Sequence, residues 1–175
     1  DVCDKVTRHM DLCSMFHLPV IHFVDCPGFA VGVKAETAGV TRAGVRAMTA
    51  VYQANVPVCS IIIRKAYGLA GSVMMNQSKT KWRYCWPSGD WGSLPMAGGI
   101  EAAFRKELSE AENPEELKAQ LYRKFDAIRS PFRTAESFFA EEIIDPRDTR
   151  PLLVDFIHHA QRALEPGETR VTYRP

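Results

Sequence analysis

Apolar side chains recur at Val2, Val6, Met10, Cys13 and Phe16, the spacing of a helix with one inner face. His17-Leu18-Pro19 closes that pattern, and Val20-Ile21-His22-Phe23-Val24 follows as a short buried strand. Asp25-Cys26-Pro27-Gly28-Phe29 is turn chemistry, with Pro and Gly adjacent. A helix is predicted from about Thr37 to Ala54, with Val40, Ala43, Ala47 and Val51 inward. Val58-Cys59-Ser60-Ile61-Ile62-Ile63 is a continuous apolar run rich in β-branched residues, the mark of a strand covered on both faces. A helical pattern restarts near Ser72, and Arg83 to Pro87 reads as a short strand. Ile100 to about Leu108 and Pro114 to about Ile128 are predicted helices, the latter with Glu115 and Glu116 in its first turn. Asp145-Pro146 precedes a last amphipathic helix with Leu152, Leu153, Phe156, Ile157, Ala160 and Leu164 inward. Helix, strand, helix, strand, helix in this order predicts an α/β domain with parallel strands.

The 175 residues suit one domain with a core of its own, expected over 1–164, with a polar, loose tail over 165–175. Lys+Arg 22 against Asp+Glu 21 leaves a net charge of +1, which excludes a general electrostatic footprint for nucleic acid. No apolar run approaches the roughly 18 to 20 residues that cross a bilayer, and no signal peptide is visible. Neither nucleic acid nor membrane is an expected partner. Cys3, Cys13, Cys26, Cys59 and Cys85 contain no C-x-x-C pair, so buried reduced thiols are expected, with no metal site and a reducing, cytoplasm-like compartment. Asp1 falls inside a helical pattern, and the chain reads as part of a longer polypeptide.

The stretch from Arg64 to Met75, RKAYGLAGSVMM, follows the buried run and sets glycines around Leu69-Ala70 before Ser72. A nucleophilic serine needs a base, normally histidine, and no histidine occurs between His22 and His158. Ser72 therefore reads as a helix N-cap or a small pocket wall. The backbone carries more chemistry. A glycine-rich turn from a buried strand into a helix leaves the N–H groups of Leu69, Ala70 and Gly71 free to bind an anion or a developing oxyanion, or else is an ordinary turn. The turn at Pro27-Gly28-Phe29 also ends a buried strand, so both loops are expected to face one pocket. Pro95-Met96-Ala97-Gly98-Gly99-Ile100 is a third glycine-bearing turn. His158 and His159 read as one inward and one solvent-facing side chain, and Glu141-Glu142 as a solvated face.

Several motifs in register resemble one family. Phe23-Val24-Asp25-x-Pro27-Gly28-Phe29, Arg64-Lys65-Ala66-Tyr67-Gly68-x-Ala70 and Tyr84-x-Trp86-Pro87 are similar to the C-terminal half of the carboxyltransferase β subunit of biotin-dependent acyl-CoA carboxylases, of the propionyl-CoA and acetyl-CoA type. Gly98-Gly99-Ile100-Glu101-Ala102, Ser130-Pro131-Phe132-x-x-Ala135-Glu136 and Ile144-Asp145-Pro146-x-x-Thr149-Arg150 continue the likeness over nearly the whole chain.

The resemblance implies a crotonase-like (ClpP/crotonase superfamily) ββα spiral, here a partial domain. It implies transfer of CO2 from carboxybiotin, held on a carrier protein or domain, to the α-carbon of an acyl-CoA. Leu69 and Ala70 would supply backbone N–H groups to the oxyanion. Gly68, Gly71, Ser72, Pro27, Gly28 and Phe29 would line the biotin and substrate pocket. Implied partners are the N-terminal half of the same subunit type, a biotin carboxylase and carrier subunit, and further copies forming a dimer to hexamer. Trp82, Trp86 and Trp91 then serve a core or such an interface. The implied compartment is the cytoplasm, or the mitochondrial matrix in a eukaryote.

The family commonly reads Tyr-Gly-Gly-Ala-Tyr-Asp where this chain has Tyr67-Gly68-Leu69-Ala70-Gly71-Ser72. Leu69 must then occupy a conformation open to a residue with Cβ. Ser72 replaces an aspartate tied to acyl choice, which leaves the acyl group open. The resemblance also implies that the chain alone does not turn over. Other readings are an enoyl-CoA hydratase or isomerase, which needs a glutamate absent between Glu36 and Glu101. A serine protease of the same superfamily needs a downstream histidine, and a non-enzymatic binding or assembly module also remains.

Overall fold

A computed structural model describes residues 2–75, 81–93, 96–164 and 167. The chain runs α1 (Val2–Met15), β1 (Val20–Cys26), α2 (Val33–Thr37), α3 (Val40–Gln53), β2 (Val58–Tyr67), α4 (Gly68–Met74), β3 (Lys81–Cys85), β4 (Asp90–Gly92), α5 (Met96–Ala103), α6 (Arg105–Glu110), α7 (Pro114–Ile128), α8 (Pro131–Glu136), β5 (Glu142–Ile143) and α9 (Thr149–Ala163). A 3-10 turn at Pro146–Asp148 leads into α9.

The apolar run becomes the central strand, and its alternation explains why both faces are apolar. Val58 packs with Met10 and Cys13 of α1, Ala50 and Val51 of α3 and Val73 of α4. Cys59 and Ile61, on the other face, pack with Phe156 and Ala160 of α9. Trp82 meets Phe156 edge-on at 5.3 Å between ring centroids. The result is one sheet between two helical layers. Ser60 is the polar residue in this run, fully buried, and its hydroxyl donates to the Met74 carbonyl at 2.9 Å, as a buried polar group requires.

All the described strand pairings are parallel, in the order β1-β2-β3-β5 with β4 also on β2. β3 pairs with β2 from Val58 to Ile62, and β4 takes over at Lys65, Ala66 and Tyr67. On the other edge, β1 follows β2 in step from Val20↔Val58 to Val24↔Ile62, then resumes at Cys26↔Ala66. Asp25 alone therefore faces Ile63, Arg64 and Lys65. Its carboxylate fills the break, accepting from the Lys65 backbone N–H at 3.2 Å and from Arg64 Nη2 at 2.6 Å.

The structure revises several sequence expectations. The α1 stripe holds at Met10 and Cys13, whereas Val2 and Phe16 are 73% and 65% exposed at its ends. The helix expected over 37–54 starts at Val40, because Gly39 at φ 75° breaks the chain direction after α2. The helix expected over 100–108 is interrupted at Phe104, whose ring packs 5.8 Å from that of Phe125. Glu141 and Glu142 are exposed, as expected of a solvated face, and Glu141 also accepts from Arg83, 5% exposed, through its backbone N–H and guanidinium at 2.7 and 2.8 Å. A buried guanidinium needs such a partner. His158 and His159 are both exposed. The cysteines are free thiols, and burial pushes Cys59 and Cys85 up to about 12. Apart from Gly167, whose carbonyl lies 2.7 Å from His17 Nε2, the tail at 165–175 is outside the described residues, as is Pro95. Among the described residues, no helix is long and apolar enough to cross a membrane.

Phe156→Ala is expected to cost about 3–5 kcal/mol, read as a fall in the urea midpoint at unchanged slope. The Asp25 pair should act with a definite sign. Arg64 holds the Asp25 carboxyl below its usual 3.8, so its stabilisation is present above that value and lost as pH falls below it. The stability difference between wild type and Asp25→Asn, measured in urea, should be level from about pH 7 to about pH 5 and shrink in stronger acid.

Candidate active site

β2 runs into α4 without a loop. Tyr67 is the N-cap in extended conformation, and Gly68 opens the helix at φ 59°. A left-handed residue followed by a helical one turns successive amides into a concave nest that accepts an anion. The amides of Gly68, Leu69 and Ala70 precede the first i→i−4 bond, which falls between the Gly71 amide and the Tyr67 carbonyl. Gly71, expected as a third free donor, is thus spent inside the helix. The non-glycine residues at positive φ are His17 and Phe138, so Leu69 carries its Cβ without backbone strain. Leu69 is 47% exposed at the rim and Ala70 3% exposed behind it.

Gly71 has a different task from the pocket role expected of it. A Cβ there would lie 2.4 Å from the Ala66 carbonyl carbon and 2.9 Å from its Cα. The helix start is folded hard against the strand it leaves, and only glycine allows that approach. Ser72 is exposed and lies inside α4, so it is not the N-cap. Nor does His22 serve it as a base. That ring turns into a cavity of about 320 Å³ lined by Lys5, Val6, His9 and Met74, among others, and not by Ser72. His22 Nδ1 is buried with no partner among the described residues, and burial holds the ring below the ordinary histidine range.

The strand-end loops do converge. A Cβ on Gly28 would sit 3.7 Å from the Tyr67 carbonyl oxygen, and one on Gly68 would sit 3.7 Å from that of Ser93. Pro27 is exposed beside them. Phe29 turns aside, its ring 2.7 Å from where a Cβ of Gly44 on α3 would stand. Of the expected pocket residues, Pro27, Gly28 and Gly68 therefore gather, beside the expected donor Leu69, at the ends of β1 and β2, where ligands bind in parallel sheets. Phe29 and Gly71 pack inward instead.

Sequence reasoning missed the groups beneath this turn. The Tyr67 hydroxyl donates to Asp90 Oδ2, and Arg129 grips the same carboxylate through Nε, at 2.8 Å to Oδ1, and Nη2. A cleft of about 140 Å³ beside them is lined by Tyr67, Trp91, Ser93, Met96, Phe125 and Arg129, among others. Burial, aided by Asp90, pushes the Tyr67 phenol up to about 12. Nothing in the sequence flags Asp90 or Arg129, which lie 39 residues apart on a three-residue strand and just beyond a helix. No group of three or more metal-ligating side chains occurs among the described residues.

Parallel strands under helices on both faces, with the turns after β1 and β2 gathered at the strand ends, define an α/β protein. The chain belongs to the carboxyl transferase domain family, matched over residues 1–169. It is 32% identical over 149 residues to the methylmalonyl-CoA carboxyltransferase 12S subunit of Propionibacterium freudenreichii subsp. shermanii, covering 84% of this chain and 28% of that protein. It is 31% identical over 156 residues to the propionyl-CoA carboxylase carboxyltransferase subunit of Haloferax mediterranei, covering 88% and 30%. The chain thus spans under a third of the length of these curated relatives. Among solved structures, the transcarboxylase 12S hexamer with methylmalonyl-CoA and methylmalonic acid bound matches at TM-score 0.80 and 26% identity, over 99% of this chain and 34% of that one. The β subunit of P. aeruginosa geranyl-CoA carboxylase shares the fold at TM-score 0.84 and 20% identity, over 99% and 34%. The crotonase-like α/β fold expected from the sequence is that of these carboxyltransferases.

Gly71→Ala is expected to destabilise the protein by about 1–3 kcal/mol, since backbone and not a mobile side chain occupies the space. A urea midpoint equal to that of wild type would remove the close-approach argument.

Proposed function

We propose that residues 1–164 supply the biotin-side half of an acyl-CoA carboxyltransferase, with 165–175 as its tail. The observation that carries the reading is the left-handed Gly68 at the end of β2, opening a helix in a chain of the carboxyl transferase domain family; on this reading the Leu69 and Ala70 amides face the oxyanion. The cup fits the ureido group of biotin: it is made of backbone donors, with the Ala70 side chain packed away and no ionised side chain at Gly68, Leu69 or Ala70. Carboxybiotin, on a carrier protein or domain, supplies the carboxyl group and, after giving it up, the base for the α-proton of the acyl thioester.

The residues of this chain bind and orient. The Leu69 and Ala70 N–H groups donate to the oxygen on which negative charge develops, and being fixed by the helix they need no reorganisation. Pro27, Gly28 and the Ser93 carbonyl wall the cup, and Ser72, exposed on α4, faces the acyl choice. The rest of the site comes from the N-terminal half of the same subunit type, within a homo-oligomer between dimer and hexamer, served by a biotin carboxylase and carrier subunit. The relative described as a hexamer assembly supports that arrangement. The reaction is placed in the cytoplasm, or the mitochondrial matrix of a eukaryote.

A hydratase reading lacks its acid. Glu101, the next glutamate after Glu36, is held by Lys118 and by the Tyr122 hydroxyl, each at 3.0 Å. An assembly module without catalysis would bind no carboxyl donor, which the same assay decides. The full-length polypeptide, with its biotin carboxylase and carrier partners, is expected to carboxylate at least one acyl-CoA from a panel, and the isolated chain none. Ala70→Pro, which deletes one donor, should lower kcat by about 10²–10³. Full activity in that variant would sink the oxyanion role.

A further inference from the structure

We propose that Asp90 and Arg129 are positioning residues for the amide cup, acting through the hydroxyl of Tyr67. The inference rests on the carboxyltransferase reading for its activity readout, and on geometry for the rest. Gly68 is the softest point of the site. A glycine in left-handed conformation is free to leave it, and a turn of the Tyr67–Gly68 peptide would swing the next amides away from a bound oxyanion. Something must hold each side of it. On the far side, Gly71 is wedged against Ala66. On the near side, the backbone of Tyr67 is held by strand pairing that ends there, at Tyr67↔Gly92, and by the α4 bond its carbonyl accepts from the Gly71 amide; beyond these its position rests on its side chain.

The side chain of Tyr67 supplies the missing hold. It is 4% exposed. In the β4 register Lys65 stands opposite Asp90, and residues two apart on a strand share a face. Tyr67 and Asp90 therefore lie on one side of the sheet, where the phenol donates to Oδ2. Arg129, just past α7, fixes that carboxylate with two guanidinium donors, the geometry in which an arginine both orients and neutralises an acid. β4 is itself pinned from its neighbouring position, Trp91 Nε1 donating to Thr134 Oγ1 of α8. The chain of contacts thus runs from α7 through β4 to the residue that caps the cup. The raised Tyr67 pKa keeps the hydroxyl a donor throughout the neutral range.

The test uses the full-length polypeptide with its biotin carboxylase and carrier partners, as Tyr67→Phe, Asp90→Asn, Arg129→Ala and Arg129→Lys, with the double variant of the first two. Each of the first three is expected to lower kcat by about tenfold or more, because small displacements of catalytic donors are costly. KM for the acyl-CoA should stay within roughly threefold. Arg129→Lys should recover part of the loss, and the double variant should be no worse than the poorer single, as for one chain of contacts. A crystal structure of Tyr67→Phe should show the Gly68–Ala70 backbone displaced in an otherwise unchanged fold. Unaltered kcat in folded variants, losses that multiply in the double variant, or an unmoved Gly68–Ala70 backbone would each overturn the proposal. Wild-type protein that carboxylates no acyl-CoA would overturn the functional reading alone, and the crystal structure would still decide the positioning.

Discussion

β2 changes partners part-way along its length, and the geometry of the strand ends depends on how that change is stabilised. Up to Ile62 the strand is shared by β1 and β3, buried on both faces. From Lys65 it belongs to β4 and, at Ala66, to β1 again. The residues between would leave ladder groups unpaired, which a strand tolerates badly. Asp25 resolves this with one carboxylate that accepts the Lys65 amide and holds the Arg64 guanidinium. The pair is solvent-accessible, so its Coulombic worth is small. Its consequence is geometric. It fixes where β2 resumes, and so where Tyr67 and Gly68 emerge beside Gly28 and Ser93.

A site assembled from main-chain donors has different tolerances from one built of side chains. Leu69 stands where the family resemblance implies a glycine, yet it carries its Cβ without strain, because the left-handed conformation falls on Gly68 and not on Leu69. The strict positions are instead those whose backbone geometry shapes the turn. Gly68 must be left-handed, and Gly71 must approach Ala66 to 2.4 Å at its absent Cβ. Substitution at the rim is free to alter what the cup accepts, while substitution behind it alters whether the cup exists.

That division also governs how much was legible in the sequence. The strands β1 and β2 and the helices α1, α3 and α9 follow apolar periodicity, and their burial is what the pattern measures. The end of β2 was legible as a special turn because Gly68 and Gly71 bracket Leu69-Ala70 directly after the apolar run. The helix was nevertheless expected at Ser72, since sequence pattern does not show that Gly68 enters it directly in a left-handed conformation. β4 and β5 have three and two residues, too short for any period. Glu141 is the exposed acid the sequence suggests, but its bond with Arg83 was not legible, because the two lie 58 residues apart. The same holds for Tyr67, Asp90 and Arg129, three side chains joined only by register and by the end of a helix.

The charge pattern around the cup then acquires a single sense. Several titratable groups on the elements around it are displaced away from neutrality. Asp25 is held low by Arg64 and the Lys65 amide, and Glu101 is held down to about 2 by Lys118. Tyr67 is pushed up to about 12. His22, kept below its ordinary range by burial, stays uncharged as pH rises above it. Peptide amides do not titrate at all in this range. Glu101 contributes stability above its ordinary carboxylate value that is lost only as pH falls toward about 2. These groups therefore keep one protonation state through the neutral range. On the proposed carboxyltransferase reading, a pH-dependent step comes from groups other than these, which present a fixed field.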